Sequence, residues 1–199
     1  IGPDDGRVVW ETPLDEGMPL DIKVTGNKVL GLTTGFLIAC DSETGKRIWL
    51  HRPLSTFKGK CRVVDDAVLC EGRERIYSIS TSYGYINWRF DSNKSLRSCI
   101  DMPAAVGLIE DNREFIALNV KDGKTLFKVP LLKSGDNRIF SSNGYFLVTT
   151  GKRRIAVVDV SGKRVRNKFL LNPVGWPLFK NDESLYFGFK GVITRLRIH

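Results

Sequence analysis

Five glycines, Gly6, Gly45, Gly84, Gly123 and Gly162, follow one another at equal steps of 39 residues. Each leads into a short apolar segment. Four of these end on an aromatic residue, Trp10, Trp49, Trp88 and Phe127, and the fifth ends on Arg166. A fixed period of this length restricts the chain to copies of one small supersecondary unit. No single copy can bury its own apolar face, so the copies must pack on one another.

Within each period the pattern is that of short strands. Residues 29–32, 67–70, 145–148 and 185–188 form one series, and residues 36–39, 76–79, 115–118 and 155–158 form the next. β-branched and aromatic residues dominate them, and Gly, Asp and Asn punctuate them. No segment carries a helical period. Four strands in about 40 residues is the length of a propeller blade, so the expected class is all-β. Labelling the strands A to D from the hub outward, the first continuous blade spans 22–49. The third period is blurred at 104–107. The chain begins on a D strand, Val8-Val9-Trp10, and ends after a C strand at 192–197. Pairing the two ends gives a composite blade from residues 1–10 and 171–199 beside four continuous blades. The expected architecture is therefore one domain over 1–199, a five-bladed β-propeller whose closure removes exposed sheet edges.

The segment Ala39-Cys40-Asp41-Ser42-Glu43-Thr44-Gly45-Lys46-Arg47-Ile48-Trp49 resembles the tryptophan-docking repeat of pyrroloquinoline-quinone-type propellers. That family includes BamB-like assembly lipoproteins and quinoprotein alcohol dehydrogenases. Ser78, Ser80, Gly84 and Trp88 form a weaker copy, as do Ala117, Asn119, Gly123 and Phe127. The copy at Ala156, Asp159, Gly162 and Arg166 has lost the aromatic residue, and Arg195 and Arg197 replace the small residue and the Asp in the last. Elementary chemistry accounts for the motif without a ligand. Gly permits a positive φ in the C–D turn, Asp or Asn caps the turn backbone, and the small residue makes room for the Trp plate. Trp49, in the most complete copy, is expected to be buried between blades.

Catalytic chemistry finds little support. The quinone-dependent members of the family use adjacent cysteines and acidic calcium ligands. Cys40, Cys61, Cys70 and Cys99 are nowhere adjacent, and no acidic metal cluster is identifiable. No phosphate-binding glycine loop, nucleophile elbow or zinc spacing is present. His51, at the end of a D strand, reads as a bland exposed residue. No catalytic residue, metal or cofactor is therefore expected. Cys61 and Cys70 flank a turn at Asp65-Asp66. A two-residue turn there places them opposite each other as a non-hydrogen-bonded pair, the geometry that accommodates a disulfide; two buried thiols are the alternative. Asn93-Lys94-Ser95 matches a glycosylation triplet.

The net charge is +9. D–A and B–C connections lie on one face of such a disc, A–B and C–D turns on the other, and most of the excess falls on the first face. Arg73, Arg75, Arg113, Lys152, Arg153, Arg154 and Lys190 occupy its B–C turns. Such a ring suits an acidic protein segment, and also nucleic acid or an anionic membrane surface. No aromatic platform for stacking bases is evident among them. The expected function is a non-enzymatic interaction scaffold that binds an acidic partner. Two further readings are a nucleic-acid-binding propeller, and a small-ligand sensor or enzyme using the central channel. The resemblance and a Cys61–Cys70 bridge both favour an extracytoplasmic setting.

Overall fold

The computed structural model describes residues 7–14, 17–99, 102, 104–111, 113–131, 137–142, 144–150, 154–159, 165–169, 176–180, 184–189 and 192–197. Its elements are strands throughout. The chain divides into two compact units, 1–93 and 94–199.

The first unit holds two four-stranded antiparallel sheets. One is β1 (Pro19–Thr25), β2 (Lys28–Thr33), β3 (Leu37–Asp41) and β4 (Arg47–His51); the other is β5 (Phe57–Val64), β6 (Ala67–Gly72), β7 (Arg75–Ser80) and β8 (Ile86–Asp91). The second unit holds β9 (Leu96–Cys99), β10 (Ala105–Glu110), β11 (Glu114–Asn119) and β12 (Thr125–Pro130) as one sheet. Another is β13 (Ile139–Ser142), β14 (Tyr145–Thr150), β15 (Arg154–Asp159) and β16 (Val165–Phe169). Last comes the three-stranded β17 (Trp176–Lys180), β18 (Ser184–Phe189) and β19 (Val192–Arg197). In every sheet the strands pair in chain order as a meander, the build of a propeller blade.

The glycine period has a direct physical basis. Gly45, Gly84 and Gly123 have φ of 69°, 75° and 69°, a conformation that side-chain-bearing residues rarely adopt. Each N–H donates to the carbonyl four residues earlier, Asp41, Ser80 or Asn119, at 2.9 Å. The side chain at that earlier position caps the turn in all three copies. Asp41 Oδ1 accepts the Thr44 N–H at 2.8 Å, Ser80 Oγ accepts the Ser82 and Tyr83 N–H groups at 3.3 Å, and Asn119 Oδ1 accepts the Lys121 N–H at 2.8 Å. Asp, Ser and Asn are thus interchangeable here because only a short acceptor is needed.

The turn glycine also receives an indole from the preceding repeat. A Cβ on Gly84 would lie 2.6 Å from Trp49, and one on Gly45 would lie 2.6 Å from Trp10. Trp49 Nε1 donates to the Thr81 carbonyl at 3.0 Å, and Trp10 Nε1 donates to the Ser42 carbonyl at 2.9 Å. The two dockings are the same interaction moved by one period. Trp49 is 9% exposed, as its repeat copy predicts, and pairs across the ladder with Ala39, whose methyl leaves the plate room. Around it Leu30, Leu32 and Leu37 of the first sheet meet Phe57, Val68, Tyr77 and Ile79 of the second. In the second unit Ile109, Phe115 and Ala117 meet Phe146, Val148 and Val158 in the same way.

Two expectations change. Of the blurred stretch at 104–107, all but Ala104 lie in regular structure, with β10 pairing with both neighbours. Its residues are small because the next sheet presses on them: a Cβ on Gly107 would lie 2.5 Å from Ile139 Cδ1 and 2.7 Å from Phe146 Cε1. Residues 8–10, expected as a strand, are irregular backbone. Trp10 instead anchors this segment onto the first sheet, and Thr12 Oγ1 donates to the Gly45 carbonyl at 2.7 Å.

Trp49→Ala is expected to destabilise the chain by about 3–5 kcal/mol in denaturant unfolding. Gly84→Ala combines positive φ with the indole clash. Gly26→Ala meets only the φ of 55°, since nothing lies within 4 Å of that position. The Gly84 variant should therefore lose distinctly more stability than the Gly26 variant, and equal losses would show that the indole does not need the bare turn.

Candidate interaction surface

The B–C turns are tied to the D–A connections beside them. The Thr34 N–H donates to the Met18 carbonyl at 3.0 Å, the Arg73 N–H to the Thr56 carbonyl at 3.2 Å and the Asp111 N–H to the Ser95 carbonyl at 3.0 Å. Leu131 and Ser92 return the link, donating to the Arg113 and Glu74 carbonyls at 2.6 and 2.9 Å. Both kinds of connection therefore sit at the same end of each sheet, as the strand order requires. At the other end, A–B and C–D turns are joined by Ser42 donating to the Asn27 carbonyl and Thr81 to the Asp66 carbonyl.

The basic side chains on the first end differ in availability. Arg73 is exposed on the turn between β6 and β7. Arg113, on the turn between β10 and β11, is also exposed and lies 3.4 Å from Asp111. Arg75 is engaged elsewhere. Its Nε meets Asp91 Oδ1 at 2.5 Å, and Arg89 holds the other carboxylate oxygen at 2.6 Å. This pairing removes Arg75 from the freely presented charges. Partial burial alone would raise the Asp91 pKa, but the two guanidinium groups outweigh it and hold the carboxyl below its usual range. Lys58 with Glu71, Lys94 with Glu110 and Lys128 with Glu114 form further pairs at this end. Lys152, Arg153 and Lys190 lie outside the described residues; of Arg154 only the backbone, at the start of β15, is described.

The opposite end of the second sheet carries a feature that the strand pattern did not reveal. Tyr83 and Tyr85 stack with ring centroids 5.6 Å apart and planes 6° apart, and both are exposed. They flank the turn glycine, where alternation sends residues on either side of it in one direction.

Cys61 and Cys70 are opposite each other in the β5–β6 ladder, as the two-residue turn predicts. Asp65 takes the positive φ, 50°, that such a turn requires. The Cys61 N–H points away from β6 and donates to Asp21 Oδ2 at 3.0 Å, which confirms a non-hydrogen-bonded pair. Both cysteines are buried and are free thiols in this structure. The Cys61 Sγ turns towards Asp21 Oδ2 at 3.6 Å. Burial, followed by the Asp21 charge, pushes the Cys61 thiol up to about 12, and full burial also raises Cys70 well above its ordinary value.

His51 is half-buried rather than exposed, and its Nε2 has no hydrogen-bond partner. The other ring nitrogen hydrogen-bonds to the Gly84 backbone, and the ring packs edge-on against Tyr77 at 6.4 Å. One period earlier, Thr12 plays the same part at Gly45. In these two copies a polar residue two places after the Trp bonds the turn glycine that the indole covers, and the Thr12–His51 spacing is its sequence signal. A cavity of about 140 Å³ beside Trp10 is lined by residues that include Asp21, Ile22, Val29, Leu32, Ile38 and Cys40. Ile22, Val29 and Ile38 are the one-period counterparts of Cys61, Val68 and Tyr77, so this is the face that a neighbouring blade covers in the next sheet. Among the described residues no group of three or more His, Cys, Asp or Glu could hold a metal ion.

Burial lowers the His51 pKa below the ordinary 6.5, against a smaller opposing effect of the Gly84 backbone. The unfolded chain then binds the proton first, so this contribution to stability is complete above pH 6.5 and is lost as the pH falls below it. Unfolding curves between pH 8 and pH 5 should show that loss, and His51→Phe should flatten it. A wild-type slope that persists in the variant would assign the effect to another group.

A family model described as outer membrane protein assembly factor BamB matches residues 1–106. No curated protein matches the chain in sequence. Among solved structures, BamB from Moraxella catarrhalis superposes with a TM-score of 0.61 at 16% identity, over 86% of this chain and 58% of that one. The computationally designed Ika8 protein gives 0.66 at 15% identity, over 89% and 57%. The designed Ika4 protein gives 0.56 at 10% identity, over 83% and 99%. The chain thus spans little more than half of the first two, and these likenesses concern the fold. With the repeated turn, the docked indoles and the meander sheets they agree on one conclusion: the chain belongs to the BamB-type family of pyrroloquinoline-quinone-like propeller repeats.

Proposed function

We propose that this chain is a non-enzymatic protein-interaction scaffold that holds an acidic segment of a partner protein against the basic turns at the B–C end of its blades. The observation that carries this reading is the presentation of Arg73 and Arg113. Both are exposed on B–C turns whose backbones are held by hydrogen bonds to the adjoining connections. A charge on a fixed turn costs little ordering when it meets a carboxylate. The cluster Lys152-Arg153-Arg154 follows one repeat later and adds to the same end in sequence order. The family is described as an assembly factor, which supports a role in binding other proteins.

The same proposal includes closure of five blades, in which residues 8–10, irregular backbone in this structure, pair with β19 beside the β17–β19 sheet. Amide exchange reads this directly. Val8 and Trp10 amides should be protected and should lose protection when 192–199 are deleted. Exchange at the unstructured rate in the full chain would overturn closure.

Replacing Lys152, Arg153 and Arg154 with Gln tests the binding surface. Stability is expected to change little, because charges on solvated turns contribute about 0–1 kcal/mol. Affinity for an acidic peptide should fall and its salt dependence should flatten. The control replaces Lys46, Lys124 and Lys163, which carry equal charge and which the repeat in the sequence assigns to the C–D turns. Equal weakening in both variants would show a net-charge effect, and unchanged binding in the first would refute the surface. Tighter binding of DNA than of the acidic peptide, with a steep salt slope, would replace the protein partner with nucleic acid.

A further inference from the structure

We infer that Cys61 and Cys70 close into a cross-strand disulfide when the chain folds in the presence of a small disulfide, and that a chain folded with both thiols reduced is sealed against that exchange. This site is independent of the basic turns.

The geometry for closure is already built. Cys61 pairs with Cys70 in the ladder, so both side chains leave the sheet on the same face. The Cys61 N–H donates to Asp21 on the neighbouring sheet rather than to β6, which makes this a close, non-hydrogen-bonded pair. The turn at Asp65-Asp66 brings the partners together through contacts within one hairpin. This hairpin can form before the first sheet packs over it. Oxidation therefore does not require the finished fold.

The seal comes from that later packing. Cys61 and Cys70 are 3% and 0% exposed in the core that joins the first two sheets. Asp21, held by Lys23 at 3.0 Å, presents a carboxylate oxygen 3.6 Å from Cys61 Sγ. Exchange requires a thiolate, and this site opposes one through burial and through the facing negative charge. A small disulfide has no path to the sulfurs while the two sheets remain in contact.

With oxidised glutathione as the oxidant, one cysteine thiolate attacks a glutathione sulfur and releases one glutathione thiolate. The second cysteine thiolate then attacks the protein sulfur of the mixed disulfide and releases the other. Two protein thiols become one S–S bond, one glutathione disulfide becomes two glutathione thiols, and the two protons pass to the released sulfurs. The Cys61 N–H and Lys23 remain as donors to Asp21 after the S–H is gone, so the reduced and oxidised chains can share one backbone.

The test uses the full chain and a Cys40→Ser/Cys99→Ser variant that removes competing thiols. Reduced protein is unfolded, refolded in a glutathione redox buffer, trapped with N-ethylmaleimide and mapped by peptide mass. A linked 61–70 peptide is expected in most molecules of both proteins, with a raised melting temperature. Natively folded reduced protein in the same buffer should oxidise on the order of 100-fold more slowly, since exchange must wait for opening of the sheets. An independent measurement needs no refolding: native reduced chain is held at rising sub-denaturing urea, and 61–70 must be the first linkage to form. Free Cys61 and Cys70 after refolding, or links to Cys40 or Cys99 in preference, would overturn closure. Native oxidation as fast as that of the unfolded chain would overturn the seal.

Discussion

An indole laid on a bare glycine turn is the contact on which the rest of this structure depends. Trp49 covers Gly84 and Trp10 covers Gly45. In each case the ring nitrogen donates to a carbonyl in the turn it covers. The turn glycine has two duties that only glycine meets together, a left-handed backbone and a surface without a Cβ. In the first unit this joint lies beside the core in which the first sheet packs on the second. Ala39 opposite Trp49 and His51 two residues on belong to the same joint, since one makes room for the plate and the other binds the glycine backbone.

The joint leaves the two ends of each sheet free for different uses. Turns at the C–D end are consumed by docking and by their own caps. Connections at the B–C end bond to one another, and Arg73 and Arg113 stand exposed on them. This division lets charge accumulate at one end without disturbing the contacts between blades. The charge is only partly uncompensated, however, because Asp91, Glu71, Glu110 and Glu114 each meet a cation there. A partner would meet Arg73 and Arg113 before it met Arg75.

The first sheet shows what a blade looks like without a covered outer face. Ile22 and Val24 are 64% and 69% exposed, and the cavity beside Trp10 follows the same face. Their counterparts one period later, Cys61 and Val63, are buried or partly buried against the first sheet. The residue types are similar at both places, so burial reflects the presence of a neighbour rather than local composition. The same contrast explains the cysteines: the site that seals Cys61 exists only because Asp21 and the first sheet lie over it.

The repeat period, the all-β class, the glycine turns, the burial of Trp49 and the Cys61–Cys70 register follow from the sequence alone. Each depends on spacing along one hairpin or one period, and backbone sterics act at that range. The regular strand at 105–110 was obscured because Ala105 and Gly107 look like turn residues until Phe146 is seen to press on them. The role of His51 was hidden for a similar reason: its partner is a backbone group more than thirty residues away, and only the Thr12 counterpart hints at it. Among the basic residues, sequence order assigned each to an end of its sheet, while tertiary structure decided which remain presented. Arg75 lies beside Asp91 through strand pairing, and pairing across a ladder depends on register and reach. Spacing therefore determined the kind of joint this chain builds, and packing determined which thiols are sealed and which charges face outward.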